Sequence, residues 1–201
     1  MHHLFLATRN AHKAREFAVL LGLDFMVEDL SAHPEIAEVI EAGTTFAENA
    51  RLKSIEVSRQ LPGLVLADDS GLEVDSLGGA PGIYSARFAG AGACDAQNRK
   101  KLLEQLAKRE ASGQHVARFR CVLSLACSGE EVASFDGAIE GEIVRAERGD
   151  SGFGYDPLFR PKGFEQTFAE LSAAEKNQIS HRAVAAAKLR NFLADSAHPA
   201  A

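Results

Sequence analysis

The chain has no tryptophan and only two tyrosines among its 201 residues. With aromatics at 7%, a stacking platform for single-stranded nucleic acid is excluded. Cysteine is scarce too: Cys94, Cys121 and Cys127 are widely spaced and form no C-x-x-C pair. An odd set without metal spacing excludes a disulfide framework and points to reduced thiols in a reducing compartment. Cys121 and Cys127, six positions apart in a strand-like segment, are expected on one face of a sheet as core residues. No apolar run approaches the ~20 residues a membrane span requires, and the opening MHHLFLATRNAHK lacks a basic leader followed by an apolar stretch. A cytoplasmic protein with no membrane partner is expected. Basic runs are also missing. With 28 acidic against 22 basic residues and a net charge of -6, the chain is no generic polyanion binder, and no nucleic-acid partner is expected. A small anion held in a local basic pocket remains compatible. There is no internal repeat and no low-complexity segment.

What the chain does have is 46% hydrophobic residues, enough to bury a substantial core in one domain, or one domain with two lobes. The stretch Leu66–Gly90, LADDSGLEVDSLGGAPGIYSARFAG, organises the rest. The apolar run Leu64–Ala67 reads as a buried strand that stops in an acidic turn, Asp68-Asp69-Ser70-Gly71, before alternation resumes at Leu72 and Val74. Adjacent carboxylates at the end of a buried strand repel unless a cation or a proton intervenes, and a divalent metal is the natural cation. The bulk-free segment Gly78-Gly79-Ala80-Pro81-Gly82 allows close backbone approach, and Arg87 beyond it is a candidate anion partner.

Elsewhere the pattern alternates strand and helix. Leu4–Ala7 reads as a strand, Thr8–Lys13 as a loop, and Phe17, Leu20 and Leu21 as the apolar face of a helix ending at Gly22. A loop entering a helix offers backbone N–H groups to an anion, with Lys13 in the first turn; it is not a G-x-x-x-x-G-K-[ST] loop. Residues 25–29 form a second strand. The acidic connector 34–43 follows, and one of Glu35, Glu38 and Glu41 is a candidate to reach the metal. Thr44 or Thr45 caps the next helix, with Glu48 completing a capping box; Asn49, Arg51 and Lys53 then read as helix surface. Asp95 is expected to cap a helix through Leu102, Leu103 and Leu106 that closes at Ser112-Gly113. Residues 115–126 and 131–142 read as a hairpin, so the sheet is mixed. The loop 148–157, rich in glycine, carries Phe153 and Tyr155 either as hydrophobic anchors or with one ring stacked on a planar ligand, and Asp156 as an acceptor for ring N–H groups. A last helix runs from about His181 to Leu193. Lys176, His181 and Arg182 near its start oppose the helix dipole unless an anion is bound. Residues 196–201 are expected to be a disordered tail beyond a single domain spanning 1–195.

Cations and amides hold phosphates, carboxylates hold magnesium, and an aromatic beside a carboxylate reads a purine. The implied ligand is a nucleotide carried as its magnesium complex. Six segments taken together, T-R-N-A-H-K (8–13), T-F-A-E-N-A (45–50), A-D-D-S-G-L (67–72), L-G-G-A-P-G-I-Y-S-A-R (77–87), F-G-Y-D-P (153–157) and K-x-x-x-S-H-R (176–182), resemble the Ham1-type inosine/xanthosine triphosphate pyrophosphatases over nearly the whole chain. The resemblance implies an α/β fold with a long curved mixed sheet flanked by helices, two lobes with a cleft between them, and a magnesium-dependent homodimer. It implies hydrolysis of ITP, dITP and XTP to the monophosphate and pyrophosphate; a pyrophosphatase for other nucleotides and a non-hydrolytic nucleotide-binding regulator are the alternatives. By position it implies Asp69 as general base or water-orienting group and Glu41 with Asp69 as the metal carboxylates, Asp68 supporting. Phosphate contacts fall to Thr8, Arg9, Asn10, Ala11, His12, Lys13, Lys53 and Ser70. Lys176 and Arg182 lie near phosphate or base, and Phe153, Gly154, Tyr155, Asp156 and His181 form the base pocket. Arg9 departs from the glycine many relatives have there, and would add a phosphate contact or restrict the turn.

Overall fold

Alternation along the first strand already decides the layering. In the computed structural model, which describes residues 2–109 and 115–196, β1 (His2–Leu6) sends Leu4 and Leu6 to one core and Phe5 to another. A strand apolar on both faces must be covered on both. The helix α1 (Ala11–Leu21) covers the first face with Phe17 and Leu21. The helix α2 (Phe46–Ser58) covers the second with Val57. Between them lie β2 (Phe25–Asp29), a 3-10 turn at Leu30–Ala32 and the connector to Thr45. Asn10 caps α1 and Gly22 ends it with φ 78°. Thr45 caps α2 by accepting from Glu48 N, while the Glu48 carboxylate reaches back to the N–H and hydroxyl of Thr44.

The strand β3 (Leu64–Val74) departs from expectation. It runs on for 11 residues without a turn at Asp68–Gly71. The two aspartates are therefore mid-strand, and alternation sends them to opposite faces. Leu66 packs in the Leu4/Leu6 core, Val65 and Ala67 in the Phe5 core; Asp68 follows Leu66 and Asp69 follows Ala67. A turn was expected because Asp, Ser and Gly are turn formers. The pairing of β3 with its neighbours overrides that local preference.

Two 3-10 turns (Asp75–Leu77 and Gly82–Arg87) lead to α3 (Asp95–Ala107). Its N-cap is Cys94, with Gln97 Oε1 accepting from Cys94 N at 2.8 Å, so Asp95 occupies the first helical position rather than the cap. The expected close of this helix at Ser112-Gly113 lies outside the described residues, as does the tail from 197 onward. Next come β4 (His115–Cys127) and β5 (Glu130–Ile143). Only Ser128 (φ 51°) and Gly129 (φ 84°) join them, the left-handed pair a type I′ hairpin turn demands. Residues 148–157 precede β6 (Phe159–Pro161), which pairs antiparallel with β5. Two helices follow, α4 (Ala173–Ile179), capped by Ser172 and Glu175, and α5 (His181–Ser196). Only the second of them was legible as a helix. The sheet order is β2-β1-β3-β4-β5-β6, with β1 parallel to both β2 and β3, so the fold class is the α/β mixed sheet expected.

The chain divides into two compact units. Unit 1 holds the residues up to Asp69, then Cys121–Gly137, and those from Arg182 on. Its cores are built on β1, β3 and the adjoining halves of β4 and β5. Unit 2 holds Ser70–Arg120 and Ala138–His181, around Leu72, Leu102, Phe119, Phe159 and Phe168. Among the described residues no helix is long and apolar enough to cross a membrane.

Candidate active site

The two faces of β3 give unit 1 two charged clusters. On the face covered by α1 and α5, Asp68 is 4% exposed. Lys13 Nζ lies 2.6 Å from its Oδ2, Arg182 Nε lies 3.7 Å away, and Cys121 Sγ donates to Oδ1 at 3.0 Å. Burial alone would raise the Asp68 carboxyl. Lys13, Arg182 and the hydrogen bonds from Lys13 and Cys121 outweigh it and hold the group well below the usual carboxylate range. Arg182 in turn reaches Glu16 at 3.0 Å. The conflict expected for a cation at the start of α5 is thus met by protein carboxylates. The adjacent Cys121 thiol is pushed well above its ordinary value, by burial first and then by the Asp68 charge.

On the opposite face Asp69 is 6% exposed. Lys53 Nζ lies 2.7 Å from Glu41 Oε1, 3.4 Å from Asp69 Oδ1, and donates to Asp68 O at 2.8 Å. Lys53 is therefore no ordinary helix-surface lysine. Asp69 Oδ2 is buried and accepts no hydrogen bond among the described residues. Burial raises the Asp69 carboxyl; Lys53 pulls it down, Glu41 and Asp68 push it up again, and the balance stands above the ordinary value. Burial disfavours the Lys53 ammonium, but Asp69 and Glu41 more than restore it.

Glu41 arrives on a segment without regular structure, and the contacts that fix this segment are specific. Arg9 Nη2 donates to Ile36 O at 2.6 Å and to His33 O at 3.1 Å. The Ile36 side chain is buried in the Phe5 core. Buried Asn49 accepts from Gly43 N at 2.8 Å, and a Cβ at Gly43 would come within 2.6 Å of that same Asn49 oxygen. Of the three glutamates of the connector, Glu41 is the one brought to Lys53 and Asp69; Glu35 lies beside His33. Arg9 braces this connector. Asn10 Oδ1 accepts from the N–H groups of His12 and Lys13, and Thr8 Oγ1 from Asn10 N. The loop thus satisfies those amides with its own side chains.

The carboxylate set fits a magnesium ion. An oxygen of Asp69 stands buried and unsatisfied beside Glu41, and magnesium takes one or two carboxylates and fills its remaining positions with water and phosphate oxygens. No group of three or more His, Cys, Asp or Glu side chains arranged for a metal occurs among the described residues. Such a set does not suit a metal that demands an all-protein cage.

Unit 2 carries the aromatic part. Tyr155 is buried and donates to Ser85 O at 2.9 Å, so it is an anchor. Phe153 is half-buried, with Lys176 Nζ 5.0 Å from its ring centroid. Asp156 is buried; its Oδ2 accepts from Lys176 Nζ at 2.7 Å and from Phe153 N at 2.9 Å. Sequence reasoning expected this carboxylate to meet a ligand's ring N–H groups. In the structure it closes the loop on itself and balances Lys176. His181 is buried and stacked on Phe119, centroids 4.8 Å apart at 10°. Gly152 has φ 78°, and a Cβ there would run into the Asp156 carboxylate. Gly152→Ala is therefore expected to lower the unfolding free energy by about 1–3 kcal/mol. Urea denaturation checks this, and a loss under about 0.5 kcal/mol would show that the loop relaxes.

The site residues expected from sequence thus fall in three groups: Lys13 and Arg182 with Asp68 on one face of β3, Glu41 and Lys53 with Asp69 on the other, both in unit 1, and Phe153, Tyr155, Asp156, Lys176 and His181 in unit 2, with Ser70 following Asp69 along β3. Sequence reasoning missed Glu16 and the polar role of Cys121. Glu16 had a signal, since it lies one helical turn after Lys13 on the same face of α1. Cys121 had none beyond its burial.

A model described as the Ham1 family matches residues 4–192. The chain belongs to the Ham1 family. It is 47% identical over 197 residues to the dITP/XTP pyrophosphatase of Bacillus licheniformis, covering 96% of this chain and 98% of that one. It is 50% identical over 191 residues to the Exiguobacterium sibiricum protein of the same name, covering 94% and 96%. The solved structure of a HAM1 protein from Coxiella burnetii matches with a TM-score of 0.87 at 38% identity, over 97% of this chain and 100% of that one.

Proposed function

We propose that this Ham1 protein hydrolyses non-canonical purine nucleoside triphosphates, ITP, dITP and XTP, to the nucleoside monophosphate and pyrophosphate. One observation carries the reading: a buried carboxylate, Asp69, with one oxygen unsatisfied and its acidity lowered by burial, beside Lys53 and Glu41. The relatives named dITP/XTP pyrophosphatase support the substrate class. The cations Lys13, Lys53 and Arg182 are already matched by Glu16, Glu41, Asp68 and Asp69. A triphosphate needs positive charge beyond what these side chains supply. Glu41 and Asp69 would hold magnesium, which would supply that charge and acidify a bound water.

In this reading Asp69 accepts the proton of the water whose oxygen attacks the α-phosphorus. The bond from that phosphorus to the β-bridging oxygen breaks and pyrophosphate leaves. Lys13 and Lys53 stand at the phosphates, with Ser70 and the loop Thr8, Asn10, Ala11 and His12. Arg9 acts on that loop's far side, holding the connector that carries Glu41. Phe153, Gly154, Tyr155, Asp156, Lys176 and His181 form the base end, and Arg182 ties α5 to Asp68. Discrimination against 6-amino purines comes from a hydrogen bond that the wrong base leaves unmade, worth roughly 1–3 kcal/mol per contact. In this reading the enzyme acts as a cytoplasmic homodimer, and its net charge of -6 speaks against nucleic-acid and anionic-membrane partners.

Incubation with dITP and magnesium, followed by product identification, tests the reaction. Pyrophosphate with dIMP is expected; orthophosphate with dIDP, or thermal stabilisation by nucleotide without turnover, overturns it. Near-equal kcat/KM for dITP, XTP, dATP and dGTP removes the selectivity for non-canonical over canonical purines.

A further inference from the structure

The first two turns of α3 stand outside every role assigned so far, yet they hold the aromatic loop on both sides of one residue, Gly154. Because Cys94 takes the cap position, the Asp95 side chain is not spent on its own helix. Its Oδ2 accepts from Gly154 N at 2.7 Å. One turn later on the same face, Arg99 Nη1 donates to Gly154 O at 2.9 Å, and Arg99 Nε lies 3.0 Å from Glu147 Oε1 at the head of the same loop. Residues 95 and 99 are i and i+4 partners, so one rigid helix face presents an acceptor and a donor at the spacing of one residue's N–H and C=O. Gly154 has φ 62°, and a Cβ there would meet nothing within 4 Å, so crowding does not hold this residue in place. Asp95 and Arg99 do.

The same helix continues the jig inward. Buried Asn98 accepts from Ala89 N at 2.7 Å and donates to Ala86 O at 3.0 Å. These bonds fix the segment that carries Ser85, the partner of the Tyr155 hydroxyl. Tyr155 is thus anchored on one side of Gly154. On the other side stands Phe153, half-buried, its N–H on Asp156 and its ring beside Lys176. With Gly154 held at both its N–H and its C=O, the backbone on which the Phe153 ring turns has little freedom.

We propose that Asp95 and Arg99 are positioning residues for base selection, holding the Phe153–Gly154 backbone so that the ring meets a purine in one orientation. The inference rests on the reading of residues 148–157 as the base end of the site. A loop of this kind released at one peptide still binds a purine, but it accommodates the 6-amino and the 6-oxo edge more equally. The cost therefore falls on discrimination and on KM, and the phosphate-cleaving step keeps its rate.

The test measures kcat and KM for dITP and dATP, and the inhibition constant of inorganic tripolyphosphate, in the full-length wild type, Asp95→Ala, Asp95→Asn, Arg99→Met and Phe153→Ala. Asp95→Ala and Arg99→Met are expected to lower the dITP-to-dATP ratio of kcat/KM by about tenfold, mostly through a higher KM for dITP, the scale expected for one lost charge-assisted hydrogen bond. Asp95→Asn, which keeps an acceptor for Gly154 N–H, recovers part of the loss. Tripolyphosphate inhibition, which involves no base, stays within about twofold. The proposal is overturned if Phe153→Ala lowers the ratio and neither Asp95→Ala nor Arg99→Met does, or if both substrates and tripolyphosphate weaken together. Should Phe153→Ala also leave the ratio untouched, the base-end reading itself falls. If Asp95→Ala does not fold, Arg99→Lys decides, because it keeps a cation near Glu147 while losing the fixed geometry at Gly154 O.

Discussion

Asp69→Asn is expected to leave a folded, nucleotide-binding protein whose turnover of dITP drops by about three orders of magnitude, the scale of a lost general base. The same substitution is expected to stabilise the metal-free protein. Asp69 is buried, its carboxyl stands above the ordinary value of 3.8, and one of its oxygens is unsatisfied. A group whose folded pKa is raised contributes stability below its unfolded pKa and loses it as pH rises through the folded value. The ionised form of the side chain is therefore a liability, kept at the cost of stability. Asparagine removes the charge and the liability while Glu41 stays with Lys53. Thermal unfolding in chelator should show a higher Tm for the variant than for the wild type. Excess magnesium should raise the wild-type Tm more than the variant's, because a ligand stabilises in proportion to its affinity for the native state. A variant that keeps near wild-type kcat ends the assignment of Asp69 as base. One that unfolds more easily in chelator ends the account of its burial.

How much of this was legible in sequence follows from what each residue's partners are. Short strands and their helices were readable because Leu4–Ala7, Phe17 with Leu21, and the hairpin on either side of Cys127–Glu130 carry period and punctuation locally. The alternative cap at Thr44 or Thr45 resolves to Thr45 with the Glu48 carboxylate on Thr44. Asp68 and Asp69 were recognisable as the centre of the site, but their local chemistry says turn, and only sheet pairing makes them strand. The consequence is large: adjacent carboxylates that a shared cation would have to reconcile instead face opposite layers, each with its own lysine. Which connector glutamate reaches Asp69 could not be read either, since Glu35, Glu38 and Glu41 are alike until Arg9, Ile36 and Asn49 fix the path between them. For the same reason Asp95 read as a cap: its partner, Gly154, is 59 residues away.

Asp68→Asn is expected to do the opposite of its neighbour's substitution and cost about 3–5 kcal/mol of unfolding free energy, the range for removing one partner of a buried ion pair. Asp68 is buried between Lys13 and Arg182 with the Cys121 thiol on its other oxygen. Its removal leaves Lys13 without its counter-charge, while Arg182 retains Glu16. The pH dependence has a definite sign. The Asp68 carboxyl is held far below its ordinary 3.8, and a depressed carboxylate contributes stability that is present above the unfolded pKa and lost as pH falls through the folded one. The wild type should therefore keep this contribution at neutral pH and give it up progressively below about pH 4. The gap between wild type and Asp68→Asn should narrow over the same window. Urea midpoints at pH 7, 5 and 3.5 in chelator measure it. Combining Asp68→Asn with Lys13→Met removes both partners and should restore at least about 1 kcal/mol, since what destabilises is the uncompensated charge. Equal stability of Asp68→Asn and wild type at pH 7, or no recovery in the double variant, would show that the cluster on this face of β3 is solvated rather than buried. Two adjacent aspartates with opposite effects on stability follow from one geometric fact, the strand's alternation carrying Asp68 between two cations and Asp69 to a site where burial outweighs its single lysine.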